Sequence, residues 1–558
     1  MAESENLRMA AQDRESDSTG RAEPASERPG ISRPVAFAIV AAVILLFAAI
    51  RWRLREMPLE RDEGEYAYAG QLILQGIPPY QLAYNMKLPG TYAAYAAMLR
   101  VFGSTPAGIH VGLLLVNGFT TLLIYFLARR RYGRLGSVTA AASYALLSTS
   151  EAALGLSGHA THFVVLAAVP GVLLLLAARE TNGWKKYFAG GLCMGLAFVM
   201  KQPGAVFILF GAQEIAWNAW QETAERKKLP VRLFTYGAGA AIPYLLTCAW
   251  LYRSGVFDRF WFWTFSYARQ YAATTGIREG FGFFKDIVPQ LFLAAPLVWL
   301  FAAAGLWVLF KEKRFRAMLS LESSLLFWSF VGTSAGLYYR PHYFILMIPA
   351  VCLLAGRAME WISGELAKPG RKKALVFVPA AVFVAAYGLA LYVQHGVFFE
   401  MSPAGVIRFK YGGNPFPEAI EFGKYIKAHT EPDARIAVIG SEPEIYFYAD
   451  RHSATGYIYT YPLMEEQKYA VKMQQEMIAE IESTRPEYLV KVMVPASWLL
   501  KKNSDTRILE WGEKYLSDEY RVVGVAEIGY QTKYHWDQDA IGFTARSRYS
   551  MYLYKRKI

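Results

Sequence analysis

Two short stretches carry the residue types that could do chemistry. Arg61-Asp62-Glu63-Gly64-Glu65-Tyr66 follows the first long apolar segment, Pro34 to Ile50, and Asn85-Met86-Lys87-Leu88-Pro89-Gly90 comes two dozen residues later. Acidic residues at the mouth of a membrane domain are costly to dehydrate, so they mark function more often than decoration. A carboxylate near a low-dielectric wall can act as general base on an incoming hydroxyl or amine. A lysine is a point charge suited to a phosphate oxygen. Asp62 and Glu63 are therefore candidate catalytic groups and Lys87 a candidate phosphate ligand, a set that suits a reaction on a lipid-linked phosphate. The plain alternatives are a solvated acidic loop and a lysine snorkelling to the interface.

Further along, Lys201-Gln202-Pro203 places a lysine between two apolar segments, which is expensive unless an anion pairs with it. Tyr338-Tyr339-Arg340-Pro341-His342-Tyr343 puts an arginine suited to bidentate phosphate binding among hydrogen-bonding rings at another helix mouth. Lys201, Tyr339, Arg340 and His342 join Lys87 as candidate substrate-binding residues. His159 and His162 share a short loop at a spacing open to metal, but only Glu151 is a nearby acid, so no metal site or cofactor is assigned, with a divalent metal as the alternative. Segment 257–286, with Phe260-Trp261-Phe262-Trp263, Tyr267, Arg269, Tyr271 and Arg278, reads as an aromatic, basic outer lip.

Elements able to position these groups follow from the hydropathy pattern. Besides 34–50, apolar segments near 108–128, 135–150, 162–178, 187–200, 204–220, 233–252, 288–310, 320–338, 342–356 and 374–394 predict about eleven membrane helices. Segment 88–103 reads as a helix lying at the interface. Arg129-Arg130-Arg131 with Arg134, Lys185-Lys186, Arg226-Lys227-Lys228, Lys311 to Arg316 and Arg371-Lys372-Lys373 occupy every second connection. The positive-inside rule then places the N-terminus in the cytoplasm and loop 52–106 outside, and an odd number of spans puts the C-terminus outside too. Arg51, Arg53 and Arg55 oppose this orientation; a role toward substrate phosphate would account for them.

Residues 1–32 are polar and without apolar period, a disordered tail rather than a signal peptide. From about 396 the composition changes. A helical pattern over Phe416 to His429, a buried strand at Arg435 to Gly440, an amphipathic helix over Glu465 to Thr484 and a strand at Tyr488 to Met493 predict a soluble α/β domain over 396–558. The expected fold is thus a polytopic α-helical membrane domain, 33–395, followed by an extracytoplasmic α/β domain.

Composition agrees. Over 558 residues, 54% are hydrophobic and 19% charged, the mixture of a polytopic membrane protein with soluble parts. The net charge of +13 sits in clusters between apolar runs, which excludes a nucleic-acid-binding face. Cys193, Cys248 and Cys352 fall inside apolar segments, so no disulfide framework or metal cluster follows. No GxGxxG or Walker loop is present.

The arrangement resembles the membrane glycosyltransferases of the GT-C fold, and within them the bacterial family 39-like branch of the protein O-mannosyltransferase and aminoarabinose transferase superfamily. The Asp-Glu pair opening the first outer loop is Asp62-Glu63, and the Lys-Pro motif before a juxtamembrane helix is Lys87 to Pro89. A Gly-rich helix ending in lysine is matched by Gly190-Gly191, Gly195 and Lys201, and the late aromatic stretch by Tyr339 to Tyr343. The common Lys-Pro-Pro becomes Lys87-Leu88-Pro89. The resemblance covers about residues 34–395. It implies inverting transfer of a sugar from a polyprenyl-phosphate donor to a lipid, glycan or protein acceptor at the outer face of the inner membrane. It implies Asp62 as base, Glu63 orienting acceptor or sugar, and Lys87, Lys201 and Arg340 on the departing phosphate. A secondary transporter and a surface-glycan ligase or polymerase are the competing readings.

Overall fold

In the computed structural model the described residues are 30–181, 183–221, 223–529 and 531–557. The expected disordered tail lies outside them except for its last three residues. The longer helices of the first part are α1 (Arg33–Arg53), α2 (Arg61–Leu74), α3 (Gly90–Phe102), α4 (Pro106–Arg129), α5 (Arg134–Leu147), α6 (Ala160–Thr181), α7 (Trp184–Met200), α8 (Ala205–Gln221) and α9 (Leu229–Arg253). They are followed by α10 (Ile277–Ala294), α11 (Pro296–Lys313), α12 (Leu321–Thr333), α13 (Ile348–Leu366) and α14 (Val378–Val393).

Every segment predicted to span is helical. Five helices are long and apolar enough to cross a membrane, α1, α4, α6, Pro341–Leu366 and Ala374–Val393, or six if the bent pair α10–α11 is one span. That pair turns by 102° where Pro296 follows Ala295, and proline cannot carry the hydrogen bond that would continue α10. The apolar segments ending in α5, α7, α8 and α12 form helices of 13 to 17 residues, shorter than a full crossing. The predicted outer lip is itself helical: Phe257–Trp261, a π-turn at Phe262–Tyr267 and Ala268–Ala272 precede α10.

The second part holds a six-stranded sheet of β1 (Arg435–Ile439), β2 (His452–Ser453), β3 (Tyr488–Val492), β4 (Tyr520–Glu527), β5 (Lys533–Trp536) and β6 (Ser550–Arg556), in the order β2-β1-β3-β6-β4-β5. The β1 pairings with β2 and β3 are parallel and the remaining pairings antiparallel. Helices α15 (Phe416–Ala428), α16 (Glu444–Ala449), α17 (Ala470–Thr484) and α18 (Arg507–Glu519) flank it. Both predicted strands and both predicted helices of this part are present.

Helix α2 joins the two parts. Its Tyr66, Tyr68 and Leu72 share one apolar core with Tyr92 and Tyr95 of α3, Ile445 and Tyr446 of α16, and Val438 and Val490 of the sheet. A Cβ at Gly64 would lie 2.6 Å from Glu444 Cβ and 2.7 Å from its backbone nitrogen, so only glycine lets α2 seat on the start of α16. Arg61 bonds the Ser441 carbonyl at 2.5 Å and Glu442 at 2.8 Å. Tyr68 Oη accepts from the Ser453 backbone N–H at 2.8 Å.

Two of the three arginines after the first apolar segment, Arg51 and Arg53, are structural, a correction to the phosphate role offered for them. Arg51 is buried and donates to the carbonyls of Ser148 and Gly155 at 3.1 and 2.8 Å. Arg53 donates to the carbonyls of Val397, Phe398 and Met401 at 2.8 to 2.9 Å. Carbonyls at chain breaks between helices lack intrahelical partners, and these guanidiniums satisfy them.

Candidate active site

A cavity of about 510 Å³ lies where α2, the Asn85–Lys87 loop, the α7–α8 turn, the Gly336–Tyr343 segment and the sheet domain meet. Asp62, Lys87, Lys201, Arg340 and His342 all line it, so five of the seven sequence-predicted residues are brought together from segments far apart in the chain.

Asp62 sits in the first turn of α2. Glu60 caps that helix, accepting from the Glu63 backbone at 3.0 Å, while Glu63 reaches back toward the Glu60 backbone nitrogen at 3.4 Å. This reciprocal cap fixes the helix start and aims alternate acids differently. Asp62 turns to the cavity, its side chain 26% exposed. Glu63 turns inward, fully buried, accepting from the Gly158 backbone at 2.6 Å and meeting His110 Nε2 at 3.1 Å. Glu63 therefore lines no part of the cavity; its carboxylate holds the 158 loop and α4 against α2 instead of facing substrate.

Lys87 Nζ stands 2.7 Å from Asp62 Oδ1 and 2.7 Å from Glu65 Oε2. Glu65 is anchored in turn by Tyr92 at 2.5 Å and Asn85 at 2.9 Å, and Tyr80 Oη holds the Lys87 carbonyl at 2.6 Å. Burial disfavours both charges, yet each outweighs it for the other. Asp62 is held well below the usual carboxylate range by Lys87 and the nearby histidines, and Lys87 well above the usual lysine range by Asp62 and Glu65.

Lys201 arises from a break. Pro203 cannot continue α7, so Lys201 takes an extended conformation (φ −160°, ψ 139°) and a single 3-10 turn follows. Gln202 donates to the Met86 carbonyl at 2.5 Å and Thr91 to the Met200 carbonyl at 2.8 Å, which staples this turn to the Lys87 loop. A Cβ at Gly90 would lie 2.4 Å from the Val199 carbonyl, so the approach requires glycine. The Lys201 ammonium lies 4.0 Å from the Tyr343 ring centre, with no carboxylate in contact among the described residues. Burial drives its pKa down to about 7, only partly offset by Asp62.

Arg340 follows a left-handed stretch, with φ of 75° at Gly336, 59° at Leu337 and 42° at Tyr339. This twist sends neighbouring side chains opposite ways. Tyr339 turns into the core against Phe284 and Phe344, at ring distances of 5.1 and 6.2 Å, and does not line the cavity. The hydroxyl-donor role expected of Tyr339 is thus replaced by packing that holds the turn. Arg340 is exposed to the cavity, against the Tyr338 ring, with no acid in contact among the described residues.

His342 stacks on His159 at 3.9 Å between ring centres. Asp62 Oδ2 is 3.7 Å from His159 Nδ1 and 4.0 Å from His342 Nε2. One ligand atom from each of the three lies within 4.8 Å of the others, and neither His159 nitrogen has a hydrogen-bond partner among the described residues. Two imidazoles and a carboxylate fit a divalent cation. His159 pairs here with His342, not with His162, which is buried outside the cavity.

Several lining groups were not anticipated. Glu60 is one: burial, reinforced by Asp62, raises its pKa to about 7. The sheet domain supplies Tyr459, whose Oη lies 3.4 Å from Asp62 Oδ1, with Tyr461 and Asn414. Little local in the sequence marks these residues, since their place depends on how the sheet domain seats on α2. The tyrosine-rich run Tyr457 to Tyr461 was the available hint.

Residues 87–250 match the family of dolichyl-phosphate-mannose-protein mannosyltransferases. No curated protein matches the chain by sequence. Among solved structures, ArnT from Cupriavidus metallidurans bound to undecaprenyl phosphate superposes with a TM-score of 0.58 at 16% identity, over 94% of this chain and 98% of that one. An Archaeoglobus fulgidus oligosaccharyltransferase tethered to an acceptor peptide gives 0.55 at 12% identity, over 92% and 75%. The same organism's AglB, with an inhibitory peptide and a dolichol-phosphate, gives 0.51 at 13%, over 90% and 75%. The chain has the GT-C fold of these membrane glycosyltransferases.

Proposed function

We propose that the chain transfers a sugar from a polyprenyl-phosphate donor to a lipid, glycan or protein acceptor, with inversion, at the outer face of the cytoplasmic membrane. The observation that carries this reading is a pair of cations without acid partners among the described residues, Lys201 and Arg340, in the same cavity as an ionised Asp62. A buried lysine near neutrality and a bare guanidinium together form a receptor for a phosphate. The family match and the fold likeness to lipid-phosphate-bound ArnT support the same substrate class.

In the proposed reaction the acceptor hydroxyl oxygen attacks the anomeric carbon as the bond to phosphate oxygen breaks, and Asp62 takes the hydroxyl proton. The electron pair leaves on the lipid phosphate, where Lys201, Arg340 and Lys87 meet the growing charge. Asp62 paired to Lys87 is a weak base. An arriving phosphate competes for the Lys87 ammonium, and Asp62 gains basicity as that pairing loosens. Donor binding thereby arms the base. Tyr459 and Tyr461 of the sheet domain also line the cavity, and in this reading they face the acceptor.

No cofactor is assigned, because the donor carries its own leaving group. A cation at Asp62, His159 and His342 would supply Lewis-acid charge there. Transfer that survives EDTA leaves the charge stabilisation to the protein's cations; loss restored by Mn²⁺ or Zn²⁺ makes the triad a metal site.

The test is transfer of label from radiolabelled polyprenyl-phosphate sugars in membranes carrying wild type or Asp62→Asn at matched expression. Transfer by wild type alone supports both the activity and its base. Equal transfer by the two proteins keeps the activity and discards Asp62. No transfer from any donor, across lipid, glycan and peptide acceptors, counts against the reading.

A further inference from the structure

One wall of the active cavity takes no part in the proposed reaction. Where the lip meets the sheet domain, the lining is Tyr267, Tyr271, Pro462, Glu465 and Leu499. Glu465 follows the short helix Tyr461–Met464, and its backbone N–H donates to the Tyr461 carbonyl at 3.1 Å. Tyr267 Oη donates to its Oε2 at 2.6 Å, which ties the lip to the sheet domain and fixes the carboxyl. No cation is in contact with it among the described residues.

Three carboxylic acids line the cavity, and two of them are engaged. Asp62 accepts from Lys87, and Glu60 caps α2. The hydroxyls of Tyr459 and Tyr461 are engaged as well, donating to the carbonyls of Arg61 and Ala496 at 2.9 and 2.6 Å. Glu465 is left as the lining acid with acceptor capacity to spare, since a carboxylate accepts about four hydrogen bonds and Tyr267 supplies one.

Tyr271 relates this acid to the phosphate receptor. Its hydroxyl feels both charges, Glu465 disfavouring and Arg340 favouring its ionised form. Its ring stacks at 4.6 Å on Tyr338, the ring that Arg340 lies against. A phosphate on Arg340 therefore has Glu465 in its neighbourhood. That phosphate carries two substituents. An isoprenoid chain cannot use a carboxylate, and burying one against it is costly. A sugar brings several hydroxyls that must each find a partner as water leaves. Burial raises the Glu465 pKa to about 7, and a hydroxyl bonds either form of the acid, whereas a cationic ligand needs the ionised one.

We infer that Glu465 is a specificity-determining residue, accepting hydrogen bonds from hydroxyls of the donor's sugar while Lys201 and Arg340 hold its phosphate. The inference rests on the proposed donor class and goes beyond it by naming the group that reads the sugar.

Equilibrium binding to the full chain in detergent tests it, with polyprenyl-phosphate mannose, glucose and xylose beside sugar-free polyprenyl phosphate. Glu465→Gln keeps the shape and an acceptor for Tyr267 but removes the charge. It should weaken binding of the sugar lipid that wild type holds best by about tenfold, and of sugar-free polyprenyl phosphate by less than about twofold. Tyr267→Phe frees the carboxyl and should give a smaller loss with the same selectivity for the sugar-bearing lipid. The sugar-free lipid reports an intact site, so a misfolded variant is recognised by losing both. Equal weakening of sugar-bearing and sugar-free lipids by Glu465→Gln makes the acid structural and overturns the inference. So does unchanged binding of all three sugar lipids. Wild type that binds sugar-free polyprenyl phosphate but fails these comparisons loses this inference alone; wild type that binds none of the four lipids loses the phosphate-donor reading as well.

Discussion

The two charged sides of the active cavity are built on opposite principles. On the α2 side every charge has a partner: Lys87 holds Asp62 and Glu65, Arg61 holds Glu442, and Glu63 holds His110 and the Gly158 amide. On the α7–α8 and Gly336–Tyr343 side, Lys201 and Arg340 meet only aromatic rings among the described residues. Saturated charges are rigid and pre-set, and taking one away leaves its partner buried and uncompensated. Unsaturated cations hold their place through backbone and ring contacts and wait for an anion. In the proposed reaction the saturated side positions the base and the unsaturated side receives the phosphate.

Breaking the saturated side has the largest expected effect. Asp62→Asn keeps the shape, and the amide oxygen still accepts from Lys87, but the proton acceptor is gone. Transfer should fall by about 10³-fold, within the range of a lost general base, mostly in kcat. A kinetic assay at matched expression checks it, and a loss below about tenfold would remove Asp62 from that role.

On the unsaturated side, Lys201→Gln removes a charge that pairs only when donor is bound. A charge-assisted contact to phosphate is worth about 1.5–3 kcal/mol, so kcat/KM should fall by about 10- to 100-fold. Thermal stability should not fall, because a buried, unpaired ammonium costs the folded state energy. A Tm that drops by many degrees would place Lys201 among the structural cations instead.

Titration sharpens the contrast further. In the proposed reaction the charged lysine binds phosphate, so donor binding should raise the Lys201 pKa above its free value of about 7. Donor affinity is then full below pH 7 and declines as pH rises from 7 toward the bound-state value, by up to about tenfold per unit. Asp62 and Lys87, pushed beyond their usual ranges in opposite directions, do not titrate in that window. Measured donor affinity between pH 6 and 9 should show the decline in wild type and a shallower one in Lys201→Arg, whose guanidinium stays charged while Glu60 and Glu465 still titrate near 7.

How legible the chain was differs between these same regions. The apolar segments, the helix at 90–102 and the β1 and β3 strands were readable because periodicity and length are local. Asp62, Lys87, Lys201 and Arg340 were readable as charges at helix mouths, where dehydration demands a reason. The fate of Glu63 and Tyr339 was not, because it turns on rotation: one residue further round α2, or one left-handed turn before Arg340, reverses which way a side chain faces. Arg51 and Arg53 likewise looked like ligand cations, since no sequence pattern shows the open carbonyls they satisfy. Glu60 and Tyr459 became visible only when the sheet domain was seated on α2.

Glu60 offers the finest cut, because it lies on the saturated side yet titrates near neutrality. Burial and Asp62 raise its pKa to about 7, so it titrates near neutrality, and with Glu465 it is one of two further carboxylates lining the cavity beside Asp62. Were Glu60 the base, Glu60→Gln would cost as much as Asp62→Asn. Its carboxylate, however, already accepts the Glu63 N–H at 3.0 Å as the helix cap. A glutamine keeps an acceptor there, so the cap and the aim of Asp62 survive. Transfer by Glu60→Gln should therefore stay within about threefold of wild type at pH 7, less than the loss of one good hydrogen bond. Protonation of Glu60 also relieves repulsion on Asp62, so the variant should lose whatever part of the rate profile near pH 7 comes from this group. A pH profile of kcat for the variant beside wild type decides between a capping acid and a catalytic one.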